Sequence, residues 1–308
     1  MKTLVAADFA ELFAVDERRL PQQCLSAIAG SDLRYTELSG PERDACILKI
    51  LKVLESGQLG VVGPANRERW ERGWQENLDE YLTHGATPES LIPKYCQSND
   101  IFRYRGALIT PASIRFETAF YTVTRQIMFS RYLADADTVI DFGCGTGTSL
   151  IVLSDMFPEK RLIGCDWATS SQSLLKALAQ KQGRNITGIH FDMFAPHDDV
   201  PFSPGCGVIT MHSMEQLGKN FDHFLNYLLK HKPGVCAHFE PIEELYDEEN
   251  LLDFLAKTYH QKRNYLSGFL TALRSLEAEG KVSILEVRRL YLGNLYQEGH
   301  CMVVWKPH

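Results

Sequence analysis

The sequence lacks the features that identify membrane-spanning, secreted and zinc-binding proteins. No apolar run approaches the about 18 uninterrupted residues that a membrane span needs, and the first residues, MKTLVAAD, become charged too early for a secretory leader. The eight cysteines among the 308 residues are scattered and never form C-x-x-C, so neither a zinc knuckle nor a redox pair is indicated. We therefore expect a cytoplasmic protein with free thiols and no bound metal.

An excess of positive charge is also absent. The chain has 32 Lys and Arg residues against 39 Asp and Glu residues, which gives a formal net charge of -7. Binding to a phosphate backbone or to an anionic membrane surface needs clustered Lys and Arg. The charge balance therefore predicts no nucleic-acid and no membrane partner and favours a small-molecule substrate, while a monomer and a homodimer both stay open.

The most informative stretch that the sequence does contain is a strand pattern that runs into a glycine-rich turn. It reads VIDFGCGTGTSL over residues 139–150, with glycines at 143, 145 and 147. Glycine has no Cβ, so such a turn allows close approach between backbone and ligand. The turn could serve a dinucleotide or a sulfonium cosubstrate. The G-x-G-x-x-G spacing of nicotinamide dehydrogenases is missing, which disfavours the dinucleotide.

The apolar pattern after the glycine stretch predicts an alternating α/β architecture. Strands are expected at residues 161–165, 188–191, 207–211 and 235–239. The helical patterns between them are typical of right-handed βαβ crossovers in a parallel sheet. One long helix is expected from Glu248 to Glu279, followed by a terminal β-hairpin. We predict an α/β fold with a doubly wound, mostly parallel seven-stranded sheet over residues 131–308, preceded by a mainly helical cap over residues 1–130.

Together these features resemble the class I S-adenosylmethionine-dependent methyltransferases over about residues 130–308. The resemblance rests on Asp141 with the glycine turn, on GCDW at residues 164–167, on FDMF at residues 191–194, and on the terminal hairpin. It implies a Rossmann-like methyltransferase fold with S-adenosylmethionine as the cosubstrate.

The resemblance also implies which residues bind the cosubstrate. The Asp141 carboxylate suits the ammonium group, Asp166 at a strand end can accept both ribose hydroxyls, and Trp167 offers a flat face to adenine. By similarity to the family, Asp192 would accept the adenine amino group, with one of the two following residues against the ring. The predicted cosubstrate-binding residues are Asp141, Gly143, Gly145, Gly147, Asp166, Trp167, Asp192, Met193 and Met211.

The next strand ends carry side chains that are expected to face the reacting methyl group. Ligands of an open parallel sheet bind beyond the carboxyl ends of its strands, which favours His212, Glu215 and Glu240. His212 could act as a general base, because an unperturbed imidazole titrates near pH ~6.5. Competing interpretations are a histidine packed at the strand end and, for Glu240, a structural ion pair.

A polar run, YHQKRNY at residues 259–265, interrupts an apolar helical pattern. Tyr259 and Arg263 are four residues apart and share a helix face, so they could direct a phenol and a guanidinium into the cleft to hold a carboxylate. A solvated helix face with a stacked pair is the competing interpretation.

The region before residue 130 is expected to cover the site. Trp70 and Trp74 also lie four residues apart, and they form either ordinary core or an apolar wall over the substrate. Tyr104, with Tyr95 and Arg105, is expected to close the site from this side. The predicted catalytic residues are His212, Glu215, Glu240, Tyr104, Tyr259 and Arg263.

The function that these predictions favour is S-adenosylmethionine-dependent methyl transfer to a small molecule, in specialised or amino-acid-derived biosynthesis. One alternative is an azetidine-2-carboxylate synthase, in which the amine of S-adenosylmethionine attacks its own γ-carbon and methylthioadenosine leaves. Another is a non-catalytic subunit that keeps the cosubstrate pocket. The Asn/Asp-Pro-Pro-Tyr signature of amino-group methylation is replaced here by MHSM at residues 211–214, which disfavours DNA or a protein glutamine as the target.

Overall fold

The chain folds around a seven-stranded sheet and a smaller five-stranded sheet. The computed structural model describes residues 1–84, 87–94 and 100–308. Tyr95, which was predicted to help close the site, lies outside the described residues. Within them, no helix is both long enough and apolar enough to cross a membrane.

The secondary structure has the following bounds. The strands are β1 (Lys2–Thr3), β2 (Arg34–Glu37), β3 (Phe102–Tyr104), β4 (Ala107–Pro111), β5 (Thr138–Phe142), β6 (Arg161–Asp166), β7 (Ile186–His190), β8 (Gly207–Met211), β9 (Val235–Glu240), β10 (Val282–Arg289), β11 (Leu292–Asn294) and β12 (Cys301–Pro307). The α-helices are α1 (Ala6–Leu12), α2 (Gln22–Ala29), α3 (Gly40–Glu55), α4 (Arg67–Thr83), α5 (Phe116–Tyr132), α6 (Thr148–Met156), α7 (Thr169–Gln182), α8 (Asp222–His231), α9 (Leu251–Arg263) and α10 (Phe269–Ala278).

The large sheet has the strand order β10-β12-β9-β8-β5-β6-β7. Strands β5 to β9 pair in parallel, and β12 runs antiparallel to both of its neighbours, β9 and β10. This arrangement confirms the predicted seven-stranded, mostly parallel sheet. The strand order reverses between β5 and β8, which is the switch point where such sheets open a crevice for ligands.

The central strands are buried on both faces, because successive residues point into two different apolar cores. Val139 and Leu162 belong to the core beneath α5, α6 and α7, whereas Ile140 and Ile163 belong to the core beneath α8 and α10. All four side chains are almost completely buried. This explains why the parallel strands read as continuous apolar runs instead of alternating ones.

The N-terminal region contains a small sheet that the helical prediction did not include. Its order is β1-β2-β4-β3-β11, and its strands pair antiparallel. Strands β3 and β4 form a hairpin through Arg105 and Gly106, both at positive φ, as a tight two-residue turn requires. Strand β11 lies between β10 and β12 in the chain, so the small sheet takes one strand from beyond the predicted boundary at residue 130.

Two predicted helices have different bounds in the structure. The helix expected from Glu248 to Glu279 is divided into α9 and α10, because Asn264 adopts a left-handed conformation (φ 54°) and ends α9. The helix that the apolar pattern predicts from about Pro111 to Tyr132 begins at Phe116, and Pro111 ends β4 instead. The break after α9 matters for the site, because it turns Tyr265 back towards Arg263.

Candidate active site

A cavity of about 570 Å³ lies at the carboxyl ends of β5, β6 and β8, with α4, α5 and α9 around it. This is the place that the switch point of the sheet predicts for a ligand. The predicted residues that line it are Asp141, Gly143, Gly145, Asp166, Trp167, Met193, Met211, His212, Glu215, Tyr259 and Arg263. Those that do not line it are Gly147, Asp192, Glu240 and Tyr104.

The glycine turn is built for close packing as well as for a ligand. A Cβ on Gly143 would lie 2.2 Å from the Cβ of Ser213, and one on Gly145 would lie 2.9 Å from Cζ2 of Trp74. The amides of Gly143 and Cys144 donate to the carbonyl of Cys165, at 2.7 and 3.1 Å. These amides therefore already have partners within the protein. The turn contributes to the cavity through the absence of side chains on its glycines, which leaves space there.

Asp141 carries an oxygen that has no hydrogen-bond partner. The residue is 1% exposed, and Oδ1 is unsatisfied among the described residues. Burial raises the pKa of Asp141 to about 7, although the nearby Arg125 guanidinium acts in the opposite direction. A buried carboxylate without donors is costly, so this position suits a ligand that brings a positively charged donor.

Asp166 ends β6 and holds the loops on either side of it. Its Oδ2 accepts the amide of Gly145 and its Oδ1 accepts the amide of Ala168, each at 2.9 Å. Burial raises the pKa of Asp166 to about 6, and the two amides oppose this shift. A carboxylate has about four acceptor positions, so acceptor capacity remains for hydroxyl groups in the cavity.

An aromatic pair continues the cavity wall beyond Asp166. The rings of Trp167 and Phe194 are stacked with centroids 6.0 Å apart, and the guanidinium of Arg67 lies 5.5 Å from the Trp167 ring. Arg67 also forms an ion pair with Asp192, whose other oxygen accepts the amide of Phe194. Asp192 therefore has two protein partners and lies outside the cavity wall, contrary to its predicted placement.

Helix α4 forms the roof of the cavity. Trp70 and Trp74 are stacked with ring centroids 5.3 Å apart, and both line the cavity. The two rings therefore form an apolar part of the cavity wall. On the same helix, Glu71 accepts the amides of Thr169 and Ser170 at 2.7 and 2.9 Å. A carboxylate at the start of α7 is favoured by the helix dipole. These contacts hold α4 against the domain.

His212 follows β8 with a left-handed backbone (φ 56°), and its side chain faces the cavity. The ring centroids of Tyr121 and His300 lie 5.6 and 4.6 Å from that of His212. Burial, together with the charge of Arg125, lowers the pKa of His212 to about 3. The imidazole is therefore neutral at pH 7 and a weaker base than a histidine in water.

Glu215, Tyr259 and Arg263 meet in the cavity, as predicted. The guanidinium carbon of Arg263 lies 5.9 Å from the Tyr259 ring and 5.1 Å from the Tyr265 ring. Burial and the charge of Glu240 raise the pKa of Glu215 to about 8, and Arg263 opposes the shift. The polar end of the cavity therefore combines one fixed cation with a mostly protonated carboxyl group.

Glu240 is fully buried and supports the loop after β8 from behind. Its carboxylate accepts the amides of Ser213, Met214 and Glu215 at 3.1 to 3.2 Å. A hydroxyl from Thr210 adds a further hydrogen bond. The predicted placement of Glu240 in the cleft is therefore wrong: it faces the protein interior, where four donors hold it.

Tyr104 is also misplaced by the sequence prediction. It lies in β3 and packs against Tyr35 and Phe120, with ring centroids 5.7 and 6.3 Å away. Its side chain is buried in the core beneath the small sheet. The Tyr104 side chain therefore packs into this apolar core instead of reaching the cavity.

Sequence reasoning missed the face of α5 that lines the cavity. Glu117, Tyr121 and Arg125 are spaced by four residues and all line it. Each of them comes one position after the apolar stripe of the same helix, which includes the buried Phe116 and Phe120. The helical spacing could therefore have indicated this second face. Tyr265 and Gln297 were also missed, because they come from the turn after α9 and from the segment between β11 and β12.

Three comparisons with known proteins agree with this geometry. Residues 139–230 match the family described as "Methyltransferase domain". Trans-aconitate 2-methyltransferase of Streptomyces coelicolor is 29% identical over 104 residues, which are 33% of this chain and 33% of that enzyme. The matched part thus spans about a third of the curated relative's length.

Solved structures that are similar to this chain have low sequence identity to it. The 4+2 cyclase SpnF has a TM-score of 0.51 at 11% identity, covering 81% of this chain and 99% of that chain. A methyltransferase from Aquifex aeolicus has a TM-score of 0.43 at 15% identity, covering 60% and 89%. Geranyl diphosphate C-methyltransferase from Streptomyces coelicolor A3(2) has a TM-score of 0.43 at 12% identity, covering 80% and 99%.

Proposed function

This chain contains a class I S-adenosylmethionine-dependent methyltransferase domain, and we propose that it transfers the methyl group of S-adenosylmethionine to a small molecule. The observation that carries the proposal is one continuous cavity with two chemically different ends. One end holds Asp141 and Asp166 beside the glycine turn, and the other holds His212, Glu215 and Arg263.

The first end fits the cosubstrate. The unsatisfied oxygen of Asp141 suits the ammonium group, the remaining acceptor positions of Asp166 suit the ribose hydroxyls, and Trp167 supplies a face for adenine. Arg125 lies near enough to Asp141 to oppose the rise in its pKa. A cation beside Asp141 would complement the carboxylate of the methionine moiety.

The azetidine-2-carboxylate synthase alternative receives no specific support from the similar proteins named above.

The second end favours a small acceptor. Helices α4, α5, α6 and α9 contribute to the cavity wall, and the cavity volume of about 570 Å³ suits a small molecule better than a macromolecular chain. The names of two similar proteins point the same way, because one methylates trans-aconitate and the other is a geranyl diphosphate C-methyltransferase.

Catalysis would then depend mainly on alignment. S-adenosylmethionine supplies an already activated sulfonium methyl group, so holding the acceptor in line with it provides most of the acceleration. Trp70, Trp74 and Tyr121 offer aromatic faces to a cation. The neutral imidazole of His212 can hydrogen-bond to the acceptor.

The product nucleoside tests the proposal. The purified protein is incubated with S-adenosylmethionine alone and with a low-molecular-weight cell extract as the acceptor source, and the products are identified by mass spectrometry. We expect S-adenosylhomocysteine only when the extract is added. Methylthioadenosine without extract would instead support cyclisation and contradict methyl transfer.

Calorimetry with S-adenosylhomocysteine tests the cosubstrate site separately. Asp166→Ala is expected to weaken binding by about a hundredfold, because the buried carboxylate would accept two hydrogen bonds from one ligand. Asp135→Ala is the control, since Asp135 is exposed and far from the cavity wall. If wild type does not bind S-adenosylhomocysteine, the proposed function is wrong.

A further inference from the structure

Arg263 lines the cavity and contacts the protein through both its backbone and its side chain. It is the last residue of α9, and its carbonyl accepts the amide of Val62 at 3.0 Å. The guanidinium lies against the rings of Tyr259 and Tyr265, at cation–π distances of 5.9 and 5.1 Å. These contacts position the guanidinium at the cavity wall.

The positive charge of Arg263 is not balanced by the protein. Its guanidinium hydrogen-bonds to the neutral Tyr265 phenol, its Nε is buried without a hydrogen-bond partner, and no carboxylate in the described part of the chain forms an ion pair with it. Glu215 is near enough to feel its charge, but burial raises the pKa of Glu215 to about 8. Arg263 is half-buried, and a partly desolvated charge without a counter-ion is unfavourable, so this end of the cavity favours an anion.

The groups around Arg263 are mostly hydrogen-bond donors. Tyr259 and Tyr265 bring phenol groups to the same wall, where the Tyr265 hydroxyl accepts from Arg263 and is also hydrogen-bonded to Tyr259. Glu215 accepts from the side chains of Gln216 and Gln297, and its protonated carboxyl has an O–H to donate. One planar guanidinium with neutral donors beside it matches a singly charged, planar anion better than a phosphate dianion.

We propose that the acceptor substrate carries a carboxylate, which Arg263, held by Tyr265, binds with the help of Tyr259 and Glu215. This inference rests on the proposed methyl transfer and specifies its substrate class. It also assigns the two ends of the cavity to different ligands. Arg263 binds the carboxylate of the acceptor, and Asp141 with its surroundings binds the amino-acid part of the cosubstrate.

The test is calorimetry on the full chain saturated with S-adenosylhomocysteine. The probes are acetate, malonate, succinate, glutarate and benzoate, each compared with its own amide. We expect at least one carboxylate to bind, with its amide at least about tenfold weaker, because the amide loses the charge-assisted hydrogen bonds. Arg263→Gln should weaken the carboxylate by at least about tenfold while the affinity for S-adenosylhomocysteine stays within about twofold.

Two further variants make the result specific. Arg263→Lys keeps the charge but not the planar fork, so it should retain part of the carboxylate affinity. Arg274→Gln removes an exposed guanidinium on α10 and should change nothing. Circular dichroism establishes that each variant is folded.

Several outcomes would overturn the proposal. These are carboxylates that bind no better than their amides, Arg263→Gln with unchanged carboxylate affinity, and a panel in which no carboxylate binds the loaded wild type. A loss of S-adenosylhomocysteine affinity in Arg263→Gln would assign Arg263 to the cosubstrate instead. Wild type that fails to bind S-adenosylhomocysteine would contradict the proposed function itself, which is a separate result.

Discussion

Replacing Gly143 by alanine tests how the glycine turn supports the loop after β8. The added Cβ would lie 2.2 Å from Cβ and 2.7 Å from Oγ of Ser213. Ser213 cannot move away easily, because its hydroxyl donates to the carbonyl of Phe142 at 2.7 Å and its amide donates to Glu240 at 3.1 Å. Gly143 also has φ of 75°, which disfavours any residue with a Cβ.

The expected loss of stability has two parts. An alanine in the left-handed region costs about 1 kcal/mol, and an overpacked contact with a fixed neighbour costs about 1 to 3 kcal/mol. We therefore expect Gly143→Ala to lower the free energy of unfolding by about 2 to 4 kcal/mol. Gly183→Ala is the matched control, because Gly183 has φ of 64° but nothing within 4 Å of the added Cβ. That variant should lose only about 1 kcal/mol.

Urea unfolding followed by circular dichroism measures both variants, with S-adenosylhomocysteine affinity as a second readout. The double variant Gly143→Ala/Ser213→Gly removes the two atoms that clash, so it should be more stable than the sum of the single changes predicts. The reasoning fails if Gly143→Ala costs no more than Gly183→Ala. It also fails if glycine at 213 recovers none of the loss.

Two further predictions concern buried carboxylates. The affinity of wild type for S-adenosylhomocysteine should rise about tenfold from pH 6 to pH 8, because Asp141, with its pKa raised to about 7 by burial, must ionise to pair with the ammonium group. Asp141→Asn should remove most of that slope in calorimetry, and an unchanged slope would assign it to another group. Glu240→Gln should lower the free energy of unfolding in urea by about 2 to 3 kcal/mol, because the amide cannot accept all four donors; a loss below about 0.5 kcal/mol would contradict the supporting role of Glu240.

The end of the cavity beside the glycine turn was largely predictable, because its residues lie in short contiguous stretches at or near strand ends. Asp141 is the penultimate residue of β5, Asp166 ends β6 and Trp167 follows it, and the carboxyl ends of parallel strands meet at one edge of the sheet. Asp192 shows the limit of this reasoning. Its position depends on Arg67, which is 125 residues away in the chain and reaches it only through the course of α4.

The end of the cavity with His212, Glu215 and Arg263 was predictable only in part. Tyr259 and Arg263 were found through their helical spacing, whereas Tyr121 and Arg125 come from a helix that precedes the sheet. Which face of α5 meets the cavity depends on how that helix packs against the sheet. The spacing of its residues predicts the faces of the helix but not their neighbours.

The sequence by itself determined the α/β fold, the mostly parallel sheet and the strand ends at which the cavity opens, because these follow from local periodicity and from glycine and acidic residues at or near strand ends. Only the tertiary structure decided which polar side chains face the cavity. Glu240 lies at a strand end like Asp141, yet its four donors from Thr210 and the loop after β8 hold it inside the protein. Hydrogen-bond partners and burial come from segments that are distant in the chain, and only folding brings them together.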